Sequence, residues 1–140
     1  MKFPIVFLPG LMCDSRLFQP QIDMLSGQRV IILAPVTGNS DVTGIASDLL
    51  KRLPNQFELI GLSFGGIVAQ EMIRLAPERI LRLVLLDTSY LSEAPHISQK
   101  RTIQIQAVQD GKLDTVMMHE HIPYYLACLL YTSPSPRDVE

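Results

Sequence analysis

The sequence predicts an α/β fold, a partial doubly wound, mostly parallel sheet with the start of a helical cap. Three observations carry this reading. Three short runs, Ile5-Val6-Phe7-Leu8, Val30-Ile31-Ile32-Leu33 and Leu83-Val84-Leu85-Leu86, are apolar at successive positions rather than at alternate ones, and a fourth, Phe57 to Gly61, is apolar apart from Glu58, as strands inside a parallel sheet are. Stretches of helical periodicity separate the runs, the alternation from which crossover connections build a parallel sheet. After Asp87 the strand pattern stops and only helical pattern continues.

Composition sets the frame. The chain has 140 residues, 47% hydrophobic and 19% charged, with a net charge of -2, enough for one compact core and too apolar for a disordered chain. The 12 Lys and Arg are scattered, which argues against nucleic-acid binding. No apolar run approaches the length of a membrane span. Two cysteines, Cys13 and Cys128, make neither a disulfide framework nor a metal-ligand spacing. The apolar start superficially resembles a leader with a lipid-accepting cysteine. Its run is short and broken by Pro4, Pro9 and Gly10, and Met12 is not the small residue a cleavage site needs. A buried first strand and a cytoplasmic location are expected instead.

The elements follow in order. The first strand, Ile5 to Leu8, ends in the loop Pro9-Gly10-Leu11. A helix is expected between about Asp14 and Ser26, capped by Asp14 or Ser15, with Pro20 offering a break point. Val30 to Leu33 is the second strand, and the turn-rich stretch Ala34 to Asp41 is loop. Ile45, Ala46, Leu49, Leu50 and Leu53 recur at helical spacing, with Asp41 or Thr43 as cap and Pro54-Asn55 as stop. The third strand runs from Phe57 to Gly61. The next helix presents Phe64, Ile67, Val68, Met72 and Leu75 as one face and ends at Pro77. Leu83 to Leu86 is the fourth strand. Beyond it, Ile97 to Gln109 reads as a helix closed by Gly111, and Leu113 to about His121 as another.

Between the third strand and the helix after it lies Gly61-Leu62-Ser63-Phe64-Gly65. A G-x-S-x-G sequence in a strand-to-helix junction is the nucleophile-elbow pattern. The chain must reverse so sharply at the serine that side chains two residues before or after would collide with each other or with the turn, and glycine removes the collision. The reversal leaves a hydroxyl at a helix N-terminus, where N–H groups and the helix dipole favour developing negative charge. The plain alternative is a turn serine that only caps the helix from Phe64.

Leu8-Pro9-Gly10-Leu11, Gly61-Leu62-Ser63-Phe64-Gly65-Gly66, Ala76-Pro77-Glu78-Arg79-Ile80 and Leu83-Val84-Leu85-Leu86-Asp87-Thr88-Ser89, in that order, resemble an α/β-hydrolase of the compact bacterial esterase, lactonase and carbon–carbon hydrolase type. The resemblance covers about residues 3–127. It implies a Ser–His–Asp relay, an oxyanion hole of two N–H donors, a small-molecule ester-like substrate, and neither metal nor organic cofactor. Ser63 matches the nucleophile, and the backbone N–H of Phe64 one oxyanion donor. The backbone N–H of Leu11 matches the other, although the family often has His-Gly where this chain has Pro9-Gly10. Serine at position 63 disfavours the aspartate-nucleophile relatives.

The base and acid are not placed by the same motifs. His96, His119 and His121 follow Ser63, but all lie in the cap-like region and none follows a late strand. Asp87 stands where a minority of the superfamily has its acid, and it also reads as a residue capping a strand end. The resemblance implies that the usual acid and His belong to strands this sequence does not contain. Cys128 to Asp138 resembles an in-frame translation of a transposase sequencing adapter, an 11-residue match, against the alternative of a natural Ser/Pro-rich tail. The expected organisation is therefore residues 1–91 as the front of the core, 92–127 as the start of the cap, and 128–140 as a non-native tail on a truncated chain. The expected chemistry is serine-dependent hydrolysis of an ester, lactone or related carbonyl compound, with the fragment inactive alone. Acyl transfer or thioester hydrolysis, a non-catalytic binding role on the same fold, and a half-domain completed by a partner remain the alternatives.

Overall fold

A computed structural model describes residues 2–124. Residues 128–140, the expected non-native tail, lie outside the described residues, as does the end of the expected cap. The chain divides into two compact units, Met1–Leu91 and Ser92–Glu140.

The first unit is a four-stranded, wholly parallel sheet in the order β2-β1-β3-β4, with β1 Ile5–Leu8, β2 Ile31–Leu33, β3 Phe57–Leu62 and β4 Ile80–Leu86. The direction of travel decides where the helices go. The connection from β1 to β2 moves one way across the sheet. Those from β2 to β3 and from β3 to β4 move the other way. Right-handed crossovers must then place α1 (Gln19–Leu25) on one face and α2 (Val42–Arg52) and α3 (Phe64–Leu75) on the other. The core follows suit. Val6, Leu8, Phe57 and Leu59 pack with α2 and α3, while Ile5 and Phe7 pack with Phe18, Ile22 and Leu25 on the α1 side. Alternate residues of β1 thus feed two separate cores, which is why its run is unbroken.

Local chemistry sets the element ends. Asp14 caps a short 3-10 turn, Ser15–Phe18, by accepting from the Arg16 N–H. Pro20 does not break the following helix. It sits in the first turn of α1, where its missing N–H costs nothing. Asp41, not Thr43, caps α2, accepting from the Gly44 N–H at 2.7 Å. The last carbonyls of α2 and the chain after it are gathered by one side chain. Arg79 donates to the carbonyls of Leu50, Leu53, Pro54 and Asn55 and lies over the Phe57 ring.

The buried face of α3 differs from the expected one. Gly65, Gly66, Val68, Ala69 and Met72 are buried, whereas Ile67 and Leu75 are exposed. The small residues let the helix press closely on the sheet, and this rotates the contact stripe away from Ile67. Strand β4 is one of the two edge strands of the sheet, and Leu81, Val84, Leu85 and Leu86 are each 40–43% exposed.

The second unit, by itself, is helical. It has α4 (Pro95–Gln109), a short α5 (Leu113–Val116) and a π-helical turn, Met117–His121. The single helix expected from Leu113 to His121 is thus two segments of different winding. None of the α4 residues is buried, and Ile97, Ile103, Ile105 and Val108 are exposed. Among the described residues no helix is long and apolar enough to cross a membrane.

Candidate active site

The site begins with topology. Strands β1 and β3 are neighbours, yet the chain leaves them in opposite directions. Their carboxyl ends therefore flank a crevice, the place where open α/β sheets bind ligands. The loop after β1 holds Gly10 and Leu11, and the turn after β3 holds Ser63.

Ser63 joins Leu62, the last residue of β3, to Phe64, the first of α3, with φ 52° and ψ -116°. That conformation costs a residue with a Cβ about 1–3 kcal/mol. Its surroundings hold it there. The Ser63 N–H donates to the Leu86 carbonyl at 2.9 Å. Its own carbonyl accepts the N–H groups of Gly66 (2.9 Å) and Ile67 (3.2 Å) and the Thr88 hydroxyl at 2.8 Å.

Three glycines make the turn possible, each for a different reason. A Cβ on Gly61 would lie 2.5 Å from the Gly65 carbonyl oxygen, so the first flanking glycine does clear the turn itself. A Cβ on Gly65 would strike the Leu8 carbonyl oxygen and lie 2.5 Å from that of Pro9. The second flanking glycine thus clears the end of β1, and it lets the elbow press against the first loop. A Cβ on Gly66 would come within 2.6 Å of Thr88.

The Ser63 side chain makes no cap hydrogen bond to α3, so the plain capping role is not what occupies it. Ser63 instead lines an open hollow of about 380 Å³ with Ile67, Asp87, Thr88 and Ser89. Here Ile67 finds its place, away from the core.

The first loop closes as a tight turn, with the Cys13 N–H donating to the Gly10 carbonyl at 3.1 Å and Met12 at φ 57°. The Cys13 thiol donates to the Leu11 carbonyl at 3.4 Å. Burial, and then the Asp14 carboxylate beside it, push that thiol up from its ordinary value. Cys13 is therefore a protonated brace at neutral pH, not a thiolate competing with Ser63. A Cβ on Gly10 would lie 3.5 Å from the Ser63 Cβ, ordinary contact, so the loop rests directly against the serine. Among the described residues, the N–H groups of Leu11 and Phe64 donate to no backbone carbonyl outside the regular elements.

Asp87 follows β4 at φ 43° and shares the hollow with Ser63. With Met12 and Ser63 it completes the non-glycine residues of positive φ among those described. Each follows a different strand, β1, β3 and β4, at its carboxyl end, so backbone strain concentrates at the carboxyl edge of the sheet. His96 lies in α4, and His119 and His121 in the π-helical turn, all in the second unit. The unit that holds Ser63 contains no histidine. Among the described residues no three His, Cys, Asp or Glu side chains gather as metal ligands.

No protein-family model matches the chain. In an alignment 91 residues long that covers 61% of this chain and 38% of the other, it is 32% identical to the pimeloyl-[acyl-carrier protein] methyl ester esterase of Legionella pneumophila strain Corby. A thermophilic esterase from Thermogutta terrifontis, solved with malate bound, matches 99% of this chain and 55% of its own at a TM-score of 0.80 and 21% identity. An extracellular alpha/beta-hydrolase from a Paenibacillus species matches 77% of this chain and 52% of its own at a TM-score of 0.57 and 20% identity. The fold is that of an α/β-hydrolase. The chain spans 38% of the length of the curated relative named here.

Within this α/β-hydrolase fold, the residues that sequence reasoning left without a role are Gly66, Gln70 and Thr88. Gln70 Nε2 donates to the Ser89 carbonyl at 3.0 Å and to the Gly66 carbonyl at 3.2 Å. No motif or periodicity marks a residue whose partner lies across a crossover, so only the fold reveals these ties.

Proposed function

We propose that the chain carries the nucleophile and the oxyanion site of a serine hydrolase acting on a small carboxylic ester. The observation that carries this reading is Ser63 itself. It sits in a strained strand-to-helix turn, its side chain is unspent on capping, and it lines a hollow beyond the carboxyl ends of β3 and β4, next to the switch point between β1 and β3.

In this reading Ser63 Oγ attacks the ester carbonyl carbon as its proton passes to a base. The carbonyl oxygen becomes an oxyanion held by the N–H groups of Leu11 and Phe64. The intermediate collapses, the alcohol leaves with a proton, and water releases the acyl group from Ser63. The unit around Ser63 has no histidine, so the base is assigned to polypeptide outside that unit. A methyl or similarly small alkyl ester is favoured, since the relative that is 32% identical is an esterase of a methyl ester.

The test uses the full polypeptide that carries this sequence. A fluorophosphonate probe and p-nitrophenyl acetate are each offered to it and to Ser63→Ala. Labelling and turnover in the parent, both lost in Ser63→Ala, are expected. Turnover that survives Ser63→Ala, or a folded parent that neither labels nor turns over ester, removes the reading.

A further inference from the structure

One peptide bond carries two of the groups discussed above. Its carbonyl oxygen belongs to Ser63, and its N–H is that of Phe64. A trans peptide is planar, with C=O and N–H pointing in opposite directions, so whatever aims the carbonyl also aims the N–H.

The Ser63 carbonyl accepts from Gly66 and Ile67, both inside α3. Those two bonds tie the peptide to its own helix and turn with it. The third donor, the Thr88 hydroxyl at 2.8 Å, comes from outside the helix, from the segment after β4. It alone references the peptide plane to the sheet.

That segment cannot drift from the elbow. Leu86 is tied to it through the Ser63 N–H, and Ser89 through Gln70. Thr88 is seated on Gly66 so closely that any Cβ there would overlap it. Donation into the carbonyl also polarises the same amide, strengthening its N–H as a donor by about 10–30%.

We propose that Thr88 is a positioning residue for the oxyanion site, its hydroxyl fixing the Ser63–Phe64 peptide plane so that the Phe64 N–H faces the developing negative charge. This rests on the reading of Ser63 given above. The alternative is that Thr88 only fills space with its methyl group. Two variants separate the cases. Thr88→Val keeps the shape and removes the hydroxyl, whereas Thr88→Ser keeps the hydroxyl and removes the methyl.

Both variants are made in the full polypeptide and read in two ways. The first is the chemical shift and exchange rate of the Phe64 amide by ¹⁵N NMR. The second is kcat and KM for p-nitrophenyl acetate, with Ser63→Ala alongside. Deleting an oxyanion donor outright costs 10²–10³ in kcat, so misaiming one is expected to cost about 10-fold, with KM changed by less than about twofold. That loss, with an upfield-shifted and faster-exchanging Phe64 amide, is expected in Thr88→Val and absent in Thr88→Ser. The reverse pattern, Thr88→Ser impaired and Thr88→Val normal, overturns the proposal in favour of packing. A Phe64 amide indifferent to Thr88→Val overturns it whatever Ser63→Ala does. If turnover ignores Ser63→Ala while the amide follows the hydroxyl, the serine-hydrolase reading fails and only the peptide clamp survives.

Discussion

Gly65→Ala is the substitution that most directly tests how the elbow is built. An added Cβ would lie 2.5 Å from the Pro9 carbonyl oxygen, and closer still to that of Leu8. Carbon–oxygen contacts settle at about 3.3–3.6 Å, so the two segments must separate by more than about 0.8 Å. Neither can yield by rotating a side chain. The obstructing atoms are backbone at the end of β1, whose Leu8 is fully buried. Overpacking of this kind costs about 1–3 kcal/mol, and the rigid surroundings place Gly65→Ala at the upper end, about 3 kcal/mol. With an unfolding entropy of about 0.3 kcal/mol per kelvin for 140 residues, and more for the full polypeptide, that lowers Tm by up to about 10 °C. Two companions fix the interpretation. A Cβ on Gly27 meets nothing within 4 Å, so Gly27→Ala should change stability by less than about 0.5 kcal/mol. A Cβ on Gly10 makes only ordinary contact, 3.5 Å from the Ser63 Cβ. Gly10→Ala should therefore leave Tm unchanged and slow ester turnover by crowding the serine. Thermal melts followed by circular dichroism, paired with p-nitrophenyl acetate turnover, read all three in the full polypeptide that carries this sequence. A Gly65→Ala protein melting with the parent and with Gly27→Ala would refute the close approach of elbow and first loop.

Two further outcomes follow from the same geometry. Hydrogen bonds from Arg74 and then from the Thr43 hydroxyl hold the Glu71 carboxyl down at about 2. A folded-state value below the unfolded one stabilises above the ordinary carboxylate range and fades as pH falls toward 2. The Tm gap between parent and Glu71→Gln should thus be widest near pH 6 and close between about pH 4.5 and 2, and a gap constant across that window contradicts the assignment. Strand β4 leaves Leu81, Val84, Leu85 and Leu86 exposed along the sheet's outer edge, a template for association. The 140-residue chain expressed alone is expected in the pellet and inactive on esters. Leu81→Lys with Val84→Lys should move it toward the supernatant, and an unchanged pellet fraction would locate the association elsewhere.

What the sequence made legible were features governed by a few adjacent residues. The unbroken apolar run Ile5–Leu8 marked a strand buried on both faces, and Gly61-Leu62-Ser63-Phe64-Gly65 marked the turn between β3 and α3 because its sterics are local. Features set by packing between distant segments were not legible. The face of α3 was assigned by hydrophobicity, yet Gly65, Gly66 and Ala69 are what the sheet contacts, because close approach rewards small residues over large ones. Ile67 fits the apolar stripe by spacing and lines the hollow instead. Pro20 is equally able to end a helix or to begin one, and the turn Ser15–Phe18 before it decides for beginning. The Thr88 hydroxyl reaches Ser63 only because β4 lies beside β3, a juxtaposition that spacing along the chain does not contain.

The division of labour in the proposed reaction follows from this contrast. Both oxyanion donors are backbone groups, and their placement depends on φ/ψ at Ser63, on the turn at Gly10–Cys13, and on the glycines that let those two pieces touch. Leu11 and Phe64 act through their N–H groups rather than their side chains, so of all residues proline, which lacks the N–H, is the one those positions must exclude. The base is different, because it must be a side chain of suitable pKa within reach of Ser63 Oγ. It can arrive from any element whose end reaches the crevice. A sheet whose switch point lies between β1 and β3 can therefore establish the anion-stabilising half of the site within the first unit, independently of where the proton-transferring half originates. Substitutions at Gly66 and Thr88 should therefore depress kcat even where the base is untouched, and their effects should be additive with substitutions of the base but not with each other, since both residues bond the Ser63 carbonyl and touch one another, and contacting residues couple while distant ones do not.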